Sequence, residues 1–165
     1  MLGAYVLRSC LVYGVVVTGY LLITMICTSP RVWGYSDYPD AIKSKVPPQT
    51  VEEKRLALIV GLPWFLFTLG FPVYSTLLLK ARLGGEIPFA TALLNLTALF
   101  LTATFGDLIL LDWLILTKIT PRFVIIPGTQ KEDYKDFSHQ FKAHARSSIP
   151  LVVLCVAMAA VISAV

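Results

Sequence analysis

Long apolar runs dominate the chain, and polar segments separate them. Four runs that are nearly free of charge cover about residues 5–28, 56–79, 88–116 and 149–165. A helix needs roughly 20 apolar residues to cross the hydrocarbon core of a bilayer, and each run meets or approaches that length. The pattern predicts an all-α fold, a four-helix transmembrane bundle forming one integral membrane domain over residues 1–165. The first run is too long for a signal-peptide core and no small-x-small cleavage site follows it, so we expect an uncleaved span.

The polar segment before the fourth run has a helical pattern of its own. Tyr134, Phe137, Phe141 and, more loosely, His144 recur on one side of residues 131–148, and the basic residues of this segment lie elsewhere. This arrangement predicts a cytoplasmic amphipathic segment between the third and fourth helices, lying on the inner membrane surface.

The second run carries a start signal and two breaks. The sequence TVEE at 50–53 is typical of a capping box that begins the helix before the membrane. Gly-x-Pro then occurs twice, at Gly61–Pro63 and Gly70–Pro72. Each proline removes a backbone hydrogen bond and displaces the carbonyl four residues earlier, at Ile59 and Thr68. Two close kinks can open a pocket, or they can be ordinary kinks of a membrane helix.

Basic residues are distributed unevenly over the loops. The net charge is +4, and eleven Lys or Arg fall in segments 29–55 and 117–148 against three elsewhere. The positive-inside rule therefore places these two loops in the cytoplasm and both termini outside, in a multi-pass protein of the inner or plasma membrane. The loops account for the excess charge without a nucleic acid partner.

Two acids interrupt the third run, in the stretch FGDLILLDWLILTK at 105–118. A charge at the centre of a membrane helix costs about 2.5–3.5 kcal/mol, so such an acid is a functional candidate. Asp107 lies deeper, and both a functional role and a hydrogen bond to another helix stay open for it. Asp112 can pair with Lys118 or Arg122 near the interface. On an ideal α-helix the two acids point about 140° apart and need not meet.

The two histidines, His139 and His144, both fall in the same basic loop. Imidazoles beside carboxylates can perform general acid–base catalysis. The predicted catalytic residues are Asp107, Asp112, His139 and His144. The predicted substrate-binding residues are Lys118, Arg122, Trp113 and Asn95. The histidines are five residues apart and not the three or four that put two ligands on one helix face, so we predict no metal site. No motif identifies a cofactor.

Three stretches resemble an uncharacterised family of small four-helix bacterial integral membrane proteins. They are SPRVWGYSDYPDAIKSKVPPQTVEEKR, GDLILLDWLILTKITPRFVIIPGT, and YKDF followed by HQFK. The most specific part of the resemblance is Gly106-Asp107, Leu111-Asp112-Trp113, Pro121-Arg122-Phe123 and Pro127-Gly128-Thr129. The resemblance implies a bacterial membrane location and a four-helix bundle, and it implies no mechanism.

Three functions fit these patterns. The first is a small intramembrane acid–base enzyme that acts on a lipid or isoprenoid-like substrate at the cytoplasmic side. The second is a non-catalytic oligomeric or accessory membrane subunit, in which Asp107 pairs with another helix and no closed pocket exists. The third is a small channel or transporter oligomer whose acids line an ion path. The expected partners are membrane lipid, a lipid-like substrate and further copies of the chain.

Overall fold

A bundle of four long helices forms the architecture of residues 2–165, which a computed structural model describes. The helices are α1 at Leu2–Cys27, α2 at Val51–Arg82, α3 at Phe89–Phe105 with a π-helical continuation at Gly106–Ile119, and α4 at Ser138–Ala164. All four are long and apolar enough to cross a membrane. The predicted all-α four-helix bundle is confirmed, and residues 2–165 contain no strand.

The two longer loops are folded against each other at one end of the bundle. They contain short helical turns at Pro30–Trp33, Asp40–Lys43, Arg122–Val124 and Lys131–Tyr134. Tyr38 donates its hydroxyl to the carbonyl of Val124 at 3.0 Å, and the Tyr134 hydroxyl accepts from the N–H of Ile126 at 2.9 Å. All four of these residues are buried in one hydrophobic cluster. We call this unit, residues 28–50 and 120–137, the loop cap.

Tyrosines of α1 satisfy backbone carbonyls of α2. The α2 helix stays helical through both of its prolines. Pro72 frees the carbonyl of Thr68, and Tyr13 donates its hydroxyl to that oxygen at 2.9 Å. Tyr20 donates to the carbonyl of Val60, in the turn before the other proline, at 2.7 Å. Because lipid offers no hydrogen bonds, such pairings have to come from the protein, and they fix α1 against α2.

The start of α2 is joined to the loop cap by a charged pair. The predicted capping box is confirmed, since the Thr50 hydroxyl accepts from the N–H of Glu53 and the Glu53 carboxylate accepts from the N–H of Thr50. Arg31 also donates to both carboxylate oxygens of Glu53, at 2.6 and 2.9 Å. This bidentate geometry is the strong form of an ion pair. It joins the loop cap to the first turn of α2.

Glycines let α1 and α3 approach closely. A Cβ atom on Gly106 would lie 2.6 Å from the Thr18 Oγ1 atom, and one on Gly14 would lie 2.8 Å from the Thr102 Cγ2 atom. Small residues at such crossings allow the tight packing that holds membrane helices together. The contact at Gly106 lies at the first residue of the π-helical segment and fixes that segment against α1.

The segment before the fourth apolar run differs from the predicted surface helix. Residues Lys131–Tyr134 form a single 3₁₀ turn, and α4 begins at Ser138 and continues without a break through Pro150. The prediction depends on the aromatic side of this segment. Within this segment Gln140 is buried, and His144, which falls near the aromatic side, contacts α3. These inward contacts attach one side of the start of α4 to the bundle, while most of its residues before Pro150 stay exposed.

Adding a methyl group at Gly106 should destabilise the protein. We expect Gly106→Ala to lower the free energy of unfolding by about 1–3 kcal/mol, since overpacking forces α1 and α3 apart. Thermal unfolding in mild detergent measures the effect. The variant Gly19→Ala is the control, because a Cβ on Gly19 meets nothing within 4 Å. Adding Thr18→Ala to Gly106→Ala should restore most of the loss, and equal instability of the single and double variants would contradict the contact.

Candidate functional site

The winding of α3 changes at Gly106, directly before the first acid. Residues Gly106–Ile119 form a π-helix of 14 residues. In a π-helix the backbone hydrogen bonds join residues five apart, so side chains five apart lie one turn apart on the same side. Asp107 and Asp112 have this separation. The α-helical expectation that the two acids point about 140° apart is therefore wrong.

Two contacts close the C-terminal end of the π-helix. Thr120 adopts the left-handed conformation, with φ of 49°, and its N–H donates to the carbonyl of Ile115, five residues earlier, at 2.8 Å. Lys135 of the loop cap donates its ammonium to the carbonyls of Thr117 and Lys118 at 2.8 and 3.1 Å. A cation at a helix C-terminus is favourable because the last carbonyls carry partial negative charge.

The two acids meet His144 of α4. The His144 Nε2 atom lies 3.0 Å from an oxygen of Asp112 and 3.7 Å from an oxygen of Asp107. Their side chains are 18%, 21% and 32% exposed for His144, Asp112 and Asp107. We call these three residues the His–Asp cluster. Asp112 is paired with this histidine and not with Lys118 or Arg122, because the π-helix directs it into the bundle.

The His–Asp cluster opens into a cavity of about 970 Å³ between α1, α2, α3 and α4. Apolar side chains of α1 and α2 form much of its wall, among them Leu21, Met25 and Trp64. Gly61 also lines it, at the first Gly-x-Pro break, and a Cβ there would meet nothing within 4 Å. α1 and α2 contribute no charged side chain to the cavity, whereas its acids and histidines come from the loop cap, α3 and α4.

Further ionisable side chains line the same cavity. For two of these, Asp37 and Arg146, no sequence pattern predicts a place in the site. Asp37 of the loop cap and Arg146 of α4 both face it, together with the predicted His139. The Asp37 side chain keeps contact with solvent, and partial desolvation raises the pKa of its carboxyl above the ordinary value; the Ser36 hydroxyl lowers this pKa and the Asp112 charge raises it further. His139 lies on the wall outside the His–Asp cluster. The loop carrying Asp37 has no periodicity from which its position can be predicted.

The structure does not place the four predicted substrate-binding residues on the cavity wall. Asn95 is fully buried and donates its amide to the Thr76 hydroxyl of α2 at 2.9 Å, so it joins two helices. The Lys118 ammonium lies 5.6 Å from the centre of the Trp113 ring, and both side chains lie outside the cavity, as does Arg122. The winding of α3 that points the two acids toward the cavity points Trp113 and Lys118 away from it.

The His–Asp cluster can act chemically in two ways. It can exchange a proton with a bound molecule, as general acids and bases do. It also offers one nitrogen and two oxygen donor atoms that lie within 4.8 Å of one another. Such a donor set can hold a divalent metal ion. The prediction of no metal site rests on the spacing of the two histidines. It does not consider a site made of one histidine and two acids from another helix.

Comparison of the chain with protein-family models, with curated proteins and with solved structures finds no match. The resemblance to a bacterial membrane family stays a prediction, and the function has to be inferred from the site.

The two acids should respond differently to removal of their charge. Asp112→Asn should lower the free energy of unfolding by about 1–3 kcal/mol, because His144 loses its charged partner. Asp107→Asn should not lower it, since the Asp107 carboxylate accepts no hydrogen bond within residues 2–165 and lies beside a second acid. Thermal unfolding in detergent with a chelator present measures both. The exposed Asp40→Asn is the control, and equal losses for the two cluster variants would contradict this assignment.

Proposed function

We propose that the protein is a membrane-embedded enzyme that acts on a lipid-like or isoprenoid-like substrate at the cytoplasmic side of the membrane. The single observation that carries this proposal is the His–Asp cluster on the wall of a large, partly apolar cavity. Ligand sites are typically cavities of about 300–1,000 Å³ with a mostly apolar lining and a few convergent polar groups. The cavity described above has both properties.

The division of the cavity wall indicates the class of substrate. The side formed by Leu21, Met25 and Trp64 fits a hydrocarbon chain. The loop cap, α3 and α4 contribute acids, His144 and Arg146, which fits a polar headgroup. A molecule with both parts is a membrane lipid or an isoprenoid carrying a polar or anionic group. In this proposal Arg146 makes the headgroup contact that the sequence pattern assigns to Lys118 and Arg122.

The ionisable groups supply the proposed acid–base chemistry. Asp112 and His144 share a contact of 3.0 Å, which orients the imidazole. Asp107 lies next to this pair with its carboxylate free of hydrogen-bond donors from residues 2–165. An acid kept in an apolar bundle without such a donor is expensive, and its retention supports a role in function. In the proposal the cluster acts on the headgroup while the cavity holds the chain.

The proposed orientation follows from charge. The polar side of the cavity includes Trp33, Ser36 and Asp37 of the loop cap. The loop cap belongs to the two basic segments, 29–55 and 117–148, which the positive-inside rule assigns to the cytoplasm. Substrate headgroups would therefore be drawn from the inner leaflet, with both chain termini on the outer side.

The cavity also bears on the alternative functions. The contact of Asp107 with His144 of α4 at 3.7 Å also fits a non-catalytic subunit, and the open cavity of about 970 Å³ beside the acids is the feature that supports the enzyme over that alternative. An ion path requires polar groups through the bundle. The opposite end of the bundle instead contains a hydrophobic cluster that includes Leu96, Phe100 and Ala159, all buried. This cluster supports a closed site over a pore within one chain.

Filling the cavity should abolish lipid binding. We expect Gly61→Phe to reduce the lipid that co-purifies with the protein by at least about tenfold, since an aromatic ring occupies the space for the chain. Mass spectrometry of extracted lipid measures it. Gly70→Phe is a matched control: Gly70 stands in the second Gly-x-Pro of the same helix, a Cβ there meets nothing within 4 Å, and it does not line the cavity.

Two outcomes would contradict the proposal. One is equal lipid retention by Gly61→Phe, Gly70→Phe and the unaltered protein, which would show that lipid binds elsewhere. The other concerns Asp107→Asn, which should keep the lipid bound and abolish its conversion. If the products formed from the co-purified lipid class were the same with Asp107→Asn, the cluster would have no part in catalysis.

Chemical labelling tests the orientation. In a background without the native Cys10, Cys27 and Cys155, we introduce Glu86→Cys or Asp40→Cys, both at exposed loop positions. A membrane-impermeant maleimide should label Glu86→Cys in intact cells and Asp40→Cys after lysis alone, because the basic loops are retained inside. The reverse pattern would place the His–Asp cluster at the outer side.

A further inference from the structure

The acids that line the cavity outnumber the basic groups that pair with them. Three carboxylates, Asp37, Asp107 and Asp112, line one wall, and His144 is the group that pairs with two of them. Arg146 lines the same cavity without an ion pair to any acid within residues 2–165. Asp107 and Asp112 are 32% and 21% exposed, and charges that are partly buried in this way are normally paired or coordinate metals. The arrangement is therefore suited to a cation that binds at the acids.

We propose that Asp107, Asp112 and His144 form the binding site for one divalent metal ion at the polar side of the cavity. Nitrogen and oxygen ligands of such an ion lie at about 2.0–2.2 Å, so two of them are at most about 4.4 Å apart. The Nε2 atom of His144 lies 3.0 and 3.7 Å from the nearest oxygens of the two acids. Both separations lie within this limit, so small side-chain adjustments complete the site.

The π-helix supplies the geometry that this site requires. Two ligands five residues apart on an α-helix diverge by about 140° and cannot share an ion. The π-helical segment Gly106–Ile119 places Asp107 and Asp112 on one side, and α4 brings His144 to them. A bound metal ion thus explains both the π-helical winding of α3 and the grouping of two acids with one histidine.

The ligand set indicates the class of metal. One imidazole with two carboxylates suits Zn²⁺, Mn²⁺ or Fe²⁺, whereas Mg²⁺ and Ca²⁺ prefer sites made of oxygen alone. Three protein ligands leave at least one coordination position open, as in catalytic sites. That position faces the cavity, where it can bind a phosphate or carboxylate oxygen of the substrate headgroup. This role in the reaction rests on the proposed function, whereas metal binding itself does not.

Metal binding is measured directly on the full chain. Tag-free protein in mild detergent is stripped with EDTA and titrated with Mn²⁺ and with Zn²⁺ by calorimetry, and bound metal is counted by mass spectrometry of the elements. We expect one ion per chain. Asp107→Asn and His144→Gln should each weaken binding by at least about tenfold. His139→Gln is the matched control, because His139 lies on the same cavity wall outside the cluster, and its affinity should equal that of the unaltered protein.

Three results would overturn the site. They are stripped protein that takes up neither ion, variants that bind as tightly as the unaltered protein, and a loss of affinity in His139→Gln equal to that in His144→Gln. If the cluster variants fail to fold, pulsed electron paramagnetic resonance of Mn²⁺ bound to the unaltered protein tests the site instead. We expect the Mn²⁺ spin to couple to one imidazole nitrogen. Absence of this coupling excludes His144 as a ligand. Metal binding without lipid conversion would retain this site and refute the proposed function.

Discussion

Two carboxylates that lie one turn apart on an apolar helix repel each other and are poorly solvated. The surrounding structure makes this placement possible. Asp107 and Asp112 can share one side of α3 because the helix is wound as a π-helix from Gly106 onward. His144 reaches them from the inward side of the start of α4. The two acids and His144 together line the cavity beside them.

Several contacts away from the acids maintain this arrangement. Gly106 lets α1 pack against the first residue of the π-helix, and Lys135 caps its last carbonyls. The pair between Arg31 and Glu53 joins the loop cap, which carries Asp37, to the start of α2. Each contact is local, but together they hold α1, α2 and α3 around one cavity. The loop cap is therefore part of the site and more than a connection between helices.

Much of the fold is predictable because its causes are local in the sequence. Apolar runs of sufficient length indicate the four helices, and TVEE at 50–53 indicates the start of α2. The freed carbonyl of Thr68 is predictable from Pro72, although its partner Tyr13 is not. The rarity of acids in apolar runs likewise selects Asp107 and Asp112 as candidate site residues from the sequence alone.

The composition of the site is less predictable because it depends on departures from regular geometry. An α-helical projection separates the two acids, and only the π-helix brings them together. Periodicity says nothing about where a loop residue such as Asp37 lies in space. Asn95 shows the converse limit: a polar residue in an apolar run resembles a ligand-binding residue, but it donates to Thr76 of another helix and does not line the cavity.

Native mass spectrometry of the unaltered protein, released from mild detergent, tests the central claim most directly, because it reports retained small molecules together with the mass of the assembly. We predict a species carrying a lipid-like molecule in fixed ratio to the chain, which survives activation that removes loosely bound detergent and lipid. A protein that loses every lipid as readily as detergent would contradict the claim that the cavity beside Asp107 and His144 is a substrate site.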